Sequence, residues 1–352
     1  MKKINLAVVF GGKSDEHEVS LKGAREVMNN LDQEKYNIIP IAITKKGNWL
    51  VGSKGDEYMS LNLPDAQKAG GVSLEQSQSL VTTEGHSLMQ SDANLPIDLF
   101  LPIGAGAFIE DGTIQGLFEA MARPYVFSGI LASALAMNKS KTKVIAKNAG
   151  LKVAKEMILN KNKKYNLENI VKKIGLPAVI KPMASGSSVG ISIVDSVEKL
   201  NSAIKEAFAY SEEVMIEQFI KGRELTVAVL GNKNPKALPV VEIIPKISTF
   251  FDYKAKYEVG GSEEVCPAKI PDDIARKVQK YAIKIFKGLG CRDLSRADFI
   301  WNTIDNKLYF LEINTIPGMT STSLAPKAAK AAGYNFTHFL DKLIEEALRR
   351  CA

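Results

Sequence analysis

Apolar residues in the first third of the chain fall into short runs separated by mixed segments. Residues 4–10, 36–44 and 99–103 read as strands, and residues 19–31 and 112–122 as helices. Short apolar strands alternating with helices predict a parallel, doubly wound sheet. Ligands of such sheets sit beyond the carboxyl ends of the strands, so segments 11–20 and 105–112 are expected at a site. Segment 65–94 is rich in Ser, Gln and Gly with weak periodicity, and is expected to be an irregular surface excursion.

The pattern changes near Asn138. Residues 139–149 look helical, 178–181 and 191–194 are strand-like around a Gly/Ser loop, 197–210 is a helix and 214–220 a strand. From Arg223 onward strands dominate, at 225–230 and 238–244, followed by a hairpin, with helices at 272–289, 324–332 and 335–350. No internal repeat is visible. The expected units are residues 1–137, 138–222 and 223–352.

Segment 296–315 reads as two alternating strands around a turn at 304–307. With Trp301 facing Tyr309, Asp298 falls opposite Glu312 and Arg296 opposite Asn314, so these four polar side chains share one face. The other face would carry Ala297, Phe299, Trp301, Tyr309, Leu311 and Ile313 into a core. Like charges directly opposite on a ladder are destabilising, and a cation between them reverses the sign. Ligands that are all oxygen suit Mg²⁺. An ordinary polar face whose acids pair with Lys or Arg is the other reading, and the hairpin alone does not separate the two.

Composition narrows the chemistry. The chain has 352 residues, enough for two or three domains. Its apolar share of 45% and charged share of 24% fit a globular protein. The net charge of +7 is spread along the chain with no basic block or zinc spacing, which gives no argument for nucleic acid and fits a solvated basic surface. Three scattered cysteines, Cys266, Cys291 and Cys351, suit a reducing cytosol rather than a disulfide framework. The first apolar run stops at Gly11-Gly12 without a cleavage-type sequence, and no run is long enough to span a bilayer. Only His17, His86 and His338 are available, and neither Gly-x-Ser-x-Gly nor His-Glu-x-x-His occurs, so Ser-His-Asp hydrolysis and zinc hydrolysis drop out. His17 itself is expected as a partly exposed loop residue.

Segment 181–190, Lys-Pro-Met-Ala-Ser-Gly-Ser-Ser-Val-Gly, lies between two strands. Consecutive backbone N–H groups in such a loop make an anion nest, and Lys181 adds a point charge. The loop is neither Gly-x-x-x-x-Gly-Lys-Ser/Thr nor Gly-x-Gly-x-x-Gly, and alone it could be a plain hairpin turn. Lys139 could bring a second cation to the same phosphates. Glu217-Gln218-Phe219-Ile220, with Glu224 just beyond, could read an adenine and a ribose. A nucleotide then needs a divalent metal, which Asp298, Glu312 and Asn314 could hold.

In combination these residues resemble the ATP-grasp fold, and segments 11–20 and 317–324 are similar to the D-alanine–D-alanine ligase family over nearly the whole chain. The resemblance implies an α/β protein: an N-terminal doubly wound parallel sheet followed by two α+β subdomains that sandwich ATP. It implies that Glu16 holds the ammonium of a first D-alanine, with Ser187 helping to orient that part of the site. Lys139, Lys181 and Ser188 would serve the phosphates, Glu217, Gln218, Phe219 and Ile220 the adenine edge, and Glu224 the ribose. Asp298, Glu312 and Asn314 would bind two Mg²⁺ (or Mn²⁺). Arg296 and the Gly318 N–H would face an oxyanion, Lys256 and Ser323 would receive the second D-alanine's carboxylate, and Tyr257 would help to close the site. The Lys256-Tyr257 pair points to a dipeptide rather than an ester with D-lactate. A cytoplasmic homodimer, with small-molecule substrates and neither nucleic acid nor membrane insertion, is implied as well.

One segment departs from the family pattern His-Gly-x-x-Gly-Glu-Asp-Gly, because this chain has Ala105 for the histidine and Ile109 for a glycine. That leaves open a sister ligase using D-lactate or D-serine, or a nucleotide-binding module with reduced catalysis. Taken singly, Glu16 could be a first-turn acid on a helix and Ser323 an N-cap.

Overall fold

A computed structural model describes residues 2–14, 16–63, 97–183, 190–246 and 260–351. The first part contains β1 (Ile4–Gly11), α1 (His17–Asn30), β2 (Tyr36–Ile43), β3 (Trp49–Val51), α2 (Ser53–Asn62), β4 (Leu99–Ile103), α3 (Thr113–Ala120) and α4 (Ile130–Met137). Strand order is β3-β2-β1-β4, with β1 parallel to both β2 and β4. Burial on both faces explains why β1 reads as a continuous apolar run. The expected parallel sheet is present, with one addition: β3 pairs antiparallel with β2 at the edge. The excursion expected at 65–94 lies outside the described residues.

Because β1 has β2 on one side and β4 on the other, a crevice opens at the carboxyl ends of β1 and β4. Ser20 of α1 pins it: the hydroxyl accepts from Gly11 N at 2.7 Å and donates to Ile103 O at 2.5 Å. Gly11 has φ +90°, and a Cβ there would stand 2.2 Å from Ile43 O, so only glycine fits this close approach.

The middle part runs α5 (Lys139–Asn148), β5 (Lys152–Val153), β6 (Glu156–Asn160), α6 (Leu167–Ile174), β7 (Ala178–Pro182), β8 (Ser192–Val194), α7 (Val197–Ala207) and β9 (Glu213–Gln218). An antiparallel sheet in the order β6-β9-β7-β8 packs Ile180 and Ile216 against Ile170, Ile174, Leu200 and Ile204 of α6 and α7.

The last part contains β10 (Arg223–Leu230), β11 (Lys236–Ala237), β12 (Val241–Pro245), β13 (Ser262–Val265), α8 (Asp272–Leu289), β14 (Leu294–Asn302), β15 (Lys307–Asn314), α9 (Leu324–Ala331) and α10 (Phe336–Cys351). Its sheet runs β13-β12-β10-β14-β15-β5, with β11 on β10. The strand expected at 238–244 starts only at Val241, as β12, and Pro239, with no N–H to donate, lies in the gap that separates it from β11. The amphipathic α8 buries Ile274, Val278, Ala282, Ile285 and Phe286 against Leu225, Val227, Phe299 and Phe310 of the sheet. α5 joins that same core through Ala146. α9 and α10 return to the first sheet, where Leu324, Ala328, Phe339 and Leu343 share a core with β1, β2 and β4.

Between β14 and β15 the register shifts at Asp298/Phe299. Asp298 does face Glu312 and Arg296 faces Asn314, as expected, but Trp301 pairs with Leu308 rather than with Tyr309. The cause is a β-bulge: Phe299 pairs Phe310 while Asp298 pairs Glu312, so Leu311 is the extra residue. The core face of β15 is therefore Leu308, Phe310 and Ile313, whereas Tyr309 and Leu311 are only half-buried. Strict alternation had placed both of those in the core, and one inserted residue reverses the outward part of the strand.

Candidate active site

A cavity of about 940 Å³ lies among the three sheets. Every described residue named from the sequence lines it: Glu16, Lys139, Lys181, Glu217, Gln218, Phe219, Ile220, Glu224, Arg296, Asp298, Glu312, Asn314, Gly318 and Ser323. Ser187, Ser188, Lys256 and Tyr257 lie outside the described residues. The size suits a nucleotide-class ligand.

Beside the β14–β15 bulge, Leu311, Glu312 and Asn314 line the cavity together with Asp298 and Arg296. Asp298 is buried and held in a fork: Arg296 Nε donates to Oδ1 at 3.0 Å and Arg296 Nη2 to Oδ2 at 2.8 Å. Thr226 Oγ1 adds a third bond to Oδ1, at 2.5 Å. Glu312 Oε2 lies 3.4 Å from Lys139 Nζ. The facing acids thus hold cationic side chains, and the face borders a cavity rather than open solvent. Among the described residues no three His, Cys, Asp and Glu side chains converge on a metal position; the set here is two carboxylates and an amide. It suits a hard cation, because the three bonds leave Asp298 Oδ2 a lone pair and Asn314 can offer its carbonyl.

At the opposite wall Glu217, 2% exposed, is clamped by two lysines. Lys181 Nζ donates to its Oε2 at 2.5 Å and Lys143 Nζ donates to its Oε1. Burial alone would raise the Glu217 carboxyl, but the Lys181 and Lys143 ammonium groups outweigh it and hold it down at about 2. Burial likewise works against a charged Lys181, yet Glu217 raises it above the ordinary lysine value. Val179, Ile191, Ile193 and Phe219 supply apolar lining nearby. Lys143 was not singled out from the sequence. Its signal was the spacing, since it sits four residues after Lys139 on α5, on the same helical face.

The amino-terminal wall is built on the β1/β4 crevice. Glu16 occupies the N-cap position of α1 but makes no capping bond with its side chain. His17 corrects an expectation: it is 2% exposed rather than partly exposed, and it begins α1. Its Nδ1 donates to Gly12 O at 2.7 Å and its Nε2 accepts from Tyr58 Oη at 3.2 Å, while burial lowers its pKa. Glu110 is buried and accepts from Gly106 N at 2.7 Å. Burial, with Glu16 as a like charge, pushes the Glu110 carboxyl up to about 8 against the opposing pull of Gly106 N–H and Arg296. Ala105 lines the cavity, and Ile109 is fully buried, its side chain close to Gly104 and Gly12. Gly318 approaches Ser323 closely; a Cβ there would lie 2.9 Å from Ser323 Oγ. Ser323 does occupy the N-cap position of α9 without a side-chain capping bond, and its Oγ accepts from Thr320 N at 3.2 Å.

The family description "D-ala D-ala ligase C-terminus" matches residues 145–345, and "D-ala D-ala ligase N-terminus" matches residues 5–128. The chain belongs to the D-alanine–D-alanine ligase family. A D-alanine–D-alanine ligase of Ruminiclostridium cellulolyticum is 38% identical over 99% of this chain and 96% of its own length. One from Thermoanaerobacter sp. is 41% identical over 99% and 97%. Among solved structures, the VanG D-Ala:D-Ser ligase of Enterococcus faecalis superposes with a TM-score of 0.79 at 34% identity, covering 98% of this chain and all of that one. The Bacillus anthracis D-alanine–D-alanine ligase complexed with ATP gives 0.74 at 30% identity, covering 99% and 98%. Fold class and ATP-grasp architecture agree with these neighbours. Among the described residues no helix is long and apolar enough to cross a membrane.

Proposed function

We propose that this ligase joins two D-alanines into D-alanyl-D-alanine for peptidoglycan precursors, using ATP and passing through an acyl phosphate. The observation that carries the reading is the convergence in one cavity of a lysine–carboxylate wall, an oxygen-only set on β14 and β15, and Glu16 at the β1/β4 crevice. Units 138–222 and 223–352 act as jaws on the nucleotide, and unit 1–137 supplies the first amino-acid pocket.

In this reading Glu217, Gln218, Phe219 and Ile220 flank the adenine, Glu224 takes the ribose, and Lys139, Lys181 and Ser188 serve the phosphates. Asp298, Glu312 and Asn314 hold two Mg²⁺, or Mn²⁺, which when bound neutralise charge spread over the transferring phosphoryl group. Glu16 receives the ammonium of the first D-alanine, whose carboxylate takes the γ-phosphoryl group as ADP departs. The amine of the second D-alanine attacks that acyl carbon. Arg296 and the Gly318 N–H stabilise the oxyanion, and phosphate leaves. Ser187 helps to orient the first D-alanine, Ser323 and Lys256 hold the second carboxylate, and Tyr257 helps to close a site from which water must be kept. No side chain acts as nucleophile, which fits the scarcity of histidine.

The test is phosphate release from ATP and Mg²⁺ with a panel of D-alanine, D-serine and D-lactate. D-Alanine alone should support turnover and yield the dipeptide. A product carrying D-serine or D-lactate in preference to a second D-alanine would replace the dipeptide assignment. Nucleotide binding without turnover on any of the three would reduce the protein to a binding module.

A further inference from the structure

We propose that Lys143 is a positioning residue for the nucleotide site: it keeps Glu217 neutralised so that Lys181 can leave that carboxylate for a phosphate. The inference deepens the nucleotide reading above and rests on it.

Lys143 is 1% exposed and, unlike Lys181 and Glu217, does not line the cavity. Its helix, α5, packs through Ala146 into the core of the large sheet. Its ammonium nevertheless reaches across to the four-stranded sheet. There it bonds Glu217 Oε1, and it lies 3.1 Å from Glu156 Oε2 and 3.5 Å from Met215 Sδ. Lys143 is therefore a buried charge that joins the two layers enclosing the cavity.

Glu217 uses a different oxygen for each lysine, Oε1 for Lys143 and Oε2 for Lys181. The two cations do not compete for one acceptor. The charged groups around Glu217 are Lys143 from α5, Lys181 from β7 and Glu156 from β6, while Lys181 also feels Glu312 and Glu224. If Lys181 were the sole cation on Glu217, drawing it to a triphosphate would strand a buried carboxylate, which is strongly unfavourable. Lys143 removes that obstacle. A mere cross-link between layers would hold the fold without making nucleotide binding depend on the charge state of Glu217.

The test uses the full chain, Mg²⁺ and a non-hydrolysable ATP analogue, with Kd read by calorimetry from pH 5 to pH 8 beside the unaltered protein. Lys143→Gln should weaken the analogue by roughly ten- to a hundredfold at pH 8, the scale seen when the partner of a ligand-holding group is removed. The deficit should shrink as pH falls and Glu217, deprived of one cation, takes up a proton. Lys143→Arg keeps the charge and should stay within severalfold of the unaltered protein. If Lys143→Gln fails to fold, Lys143→Gln combined with Glu156→Gln removes one cation and one carboxylate together, and the same deficit and the same acid recovery are expected of it. Unaltered Kd in the folded variants, or a deficit constant across pH, overturns the proposal. An unaltered chain that does not bind the analogue overturns the nucleotide reading itself, and this inference with it.

Discussion

The two ends of the cavity treat buried charge in opposite ways. At the end proposed for the nucleotide, the buried carboxylates have cations on them: Glu217 lies between Lys143 and Lys181, and Asp298 lies in the fork of Arg296. At the end proposed for the amino acid, burial, with Glu16 and Glu312 as like charges and Arg296 opposing them, pushes the Glu110 carboxyl up to about 8. The first arrangement is preorganised for an anion, because Lys139, Lys181 and Arg296 already line the cavity there. The second resists its own ionisation, and an arriving ammonium would supply the missing positive charge. One cavity thus offers opposite electrostatic invitations to the two ends of the reaction.

The sharpest way to break this comparison is Asp298→Asn. If Asp298 serves the reaction, kcat should fall by roughly a hundred- to a thousandfold, as when a preorganised electrostatic group is removed. Loss of the Arg296 fork should also lower unfolding free energy in urea by about 1–3 kcal/mol. Retained turnover with only the stability loss would make Asp298 a structural partner of Arg296 and no more.

Glu110→Gln probes the other end. A folded-state pKa raised from 4.5 to about 8 gives stability that is present below pH 4.5 and is lost as pH rises through 8. The unaltered protein should therefore weaken between pH 5 and pH 8.5 in urea titrations, and Glu110→Gln should remove that part of the slope. Parallel slopes would mean that Glu110 ionises without penalty and that the two ends do not differ.

The smallest effect is expected from Ala105→His, which restores the residue usual at this position in the family. One added hydrogen bond near Glu16 is worth about 1 kcal/mol, so the KM for the first D-alanine should fall roughly fivefold with kcat little changed. Initial rates at saturating ATP measure it. An unchanged KM would show that Ala105 does not bear on how Glu16 is held.

The candidate residues named from the sequence converge in space, because each type was picked for a chemistry that has to meet the others in one place. Lys139, Lys181, Glu217, Asp298 and Glu312 are widely separated along the chain, yet all line one cavity. The parallel sheet was legible for a similar reason, since strands covered on both faces read as unbroken apolar runs. What escaped was whatever depends on a partner far away in sequence. The bulge at Leu311 adds one residue to a strand whose alternation looks regular. His17 has a polar side chain in a polar segment, and only its bonds to Gly12 and Tyr58 explain its burial. Lys143 looks like another solvent-facing lysine until Glu217, 74 positions later, closes on it.

The return of α10 to the first sheet has a consequence for how the protein is made. Phe339, Leu343 and Ala347 complete a core begun by Leu6, Val8 and Phe10, so the apolar surface of the opening strands is fully covered only after α10 has been made. A chain halted before α10 would display part of that surface and invite self-association, which makes the docking of α10, rather than the emergence of each unit, the moment of commitment.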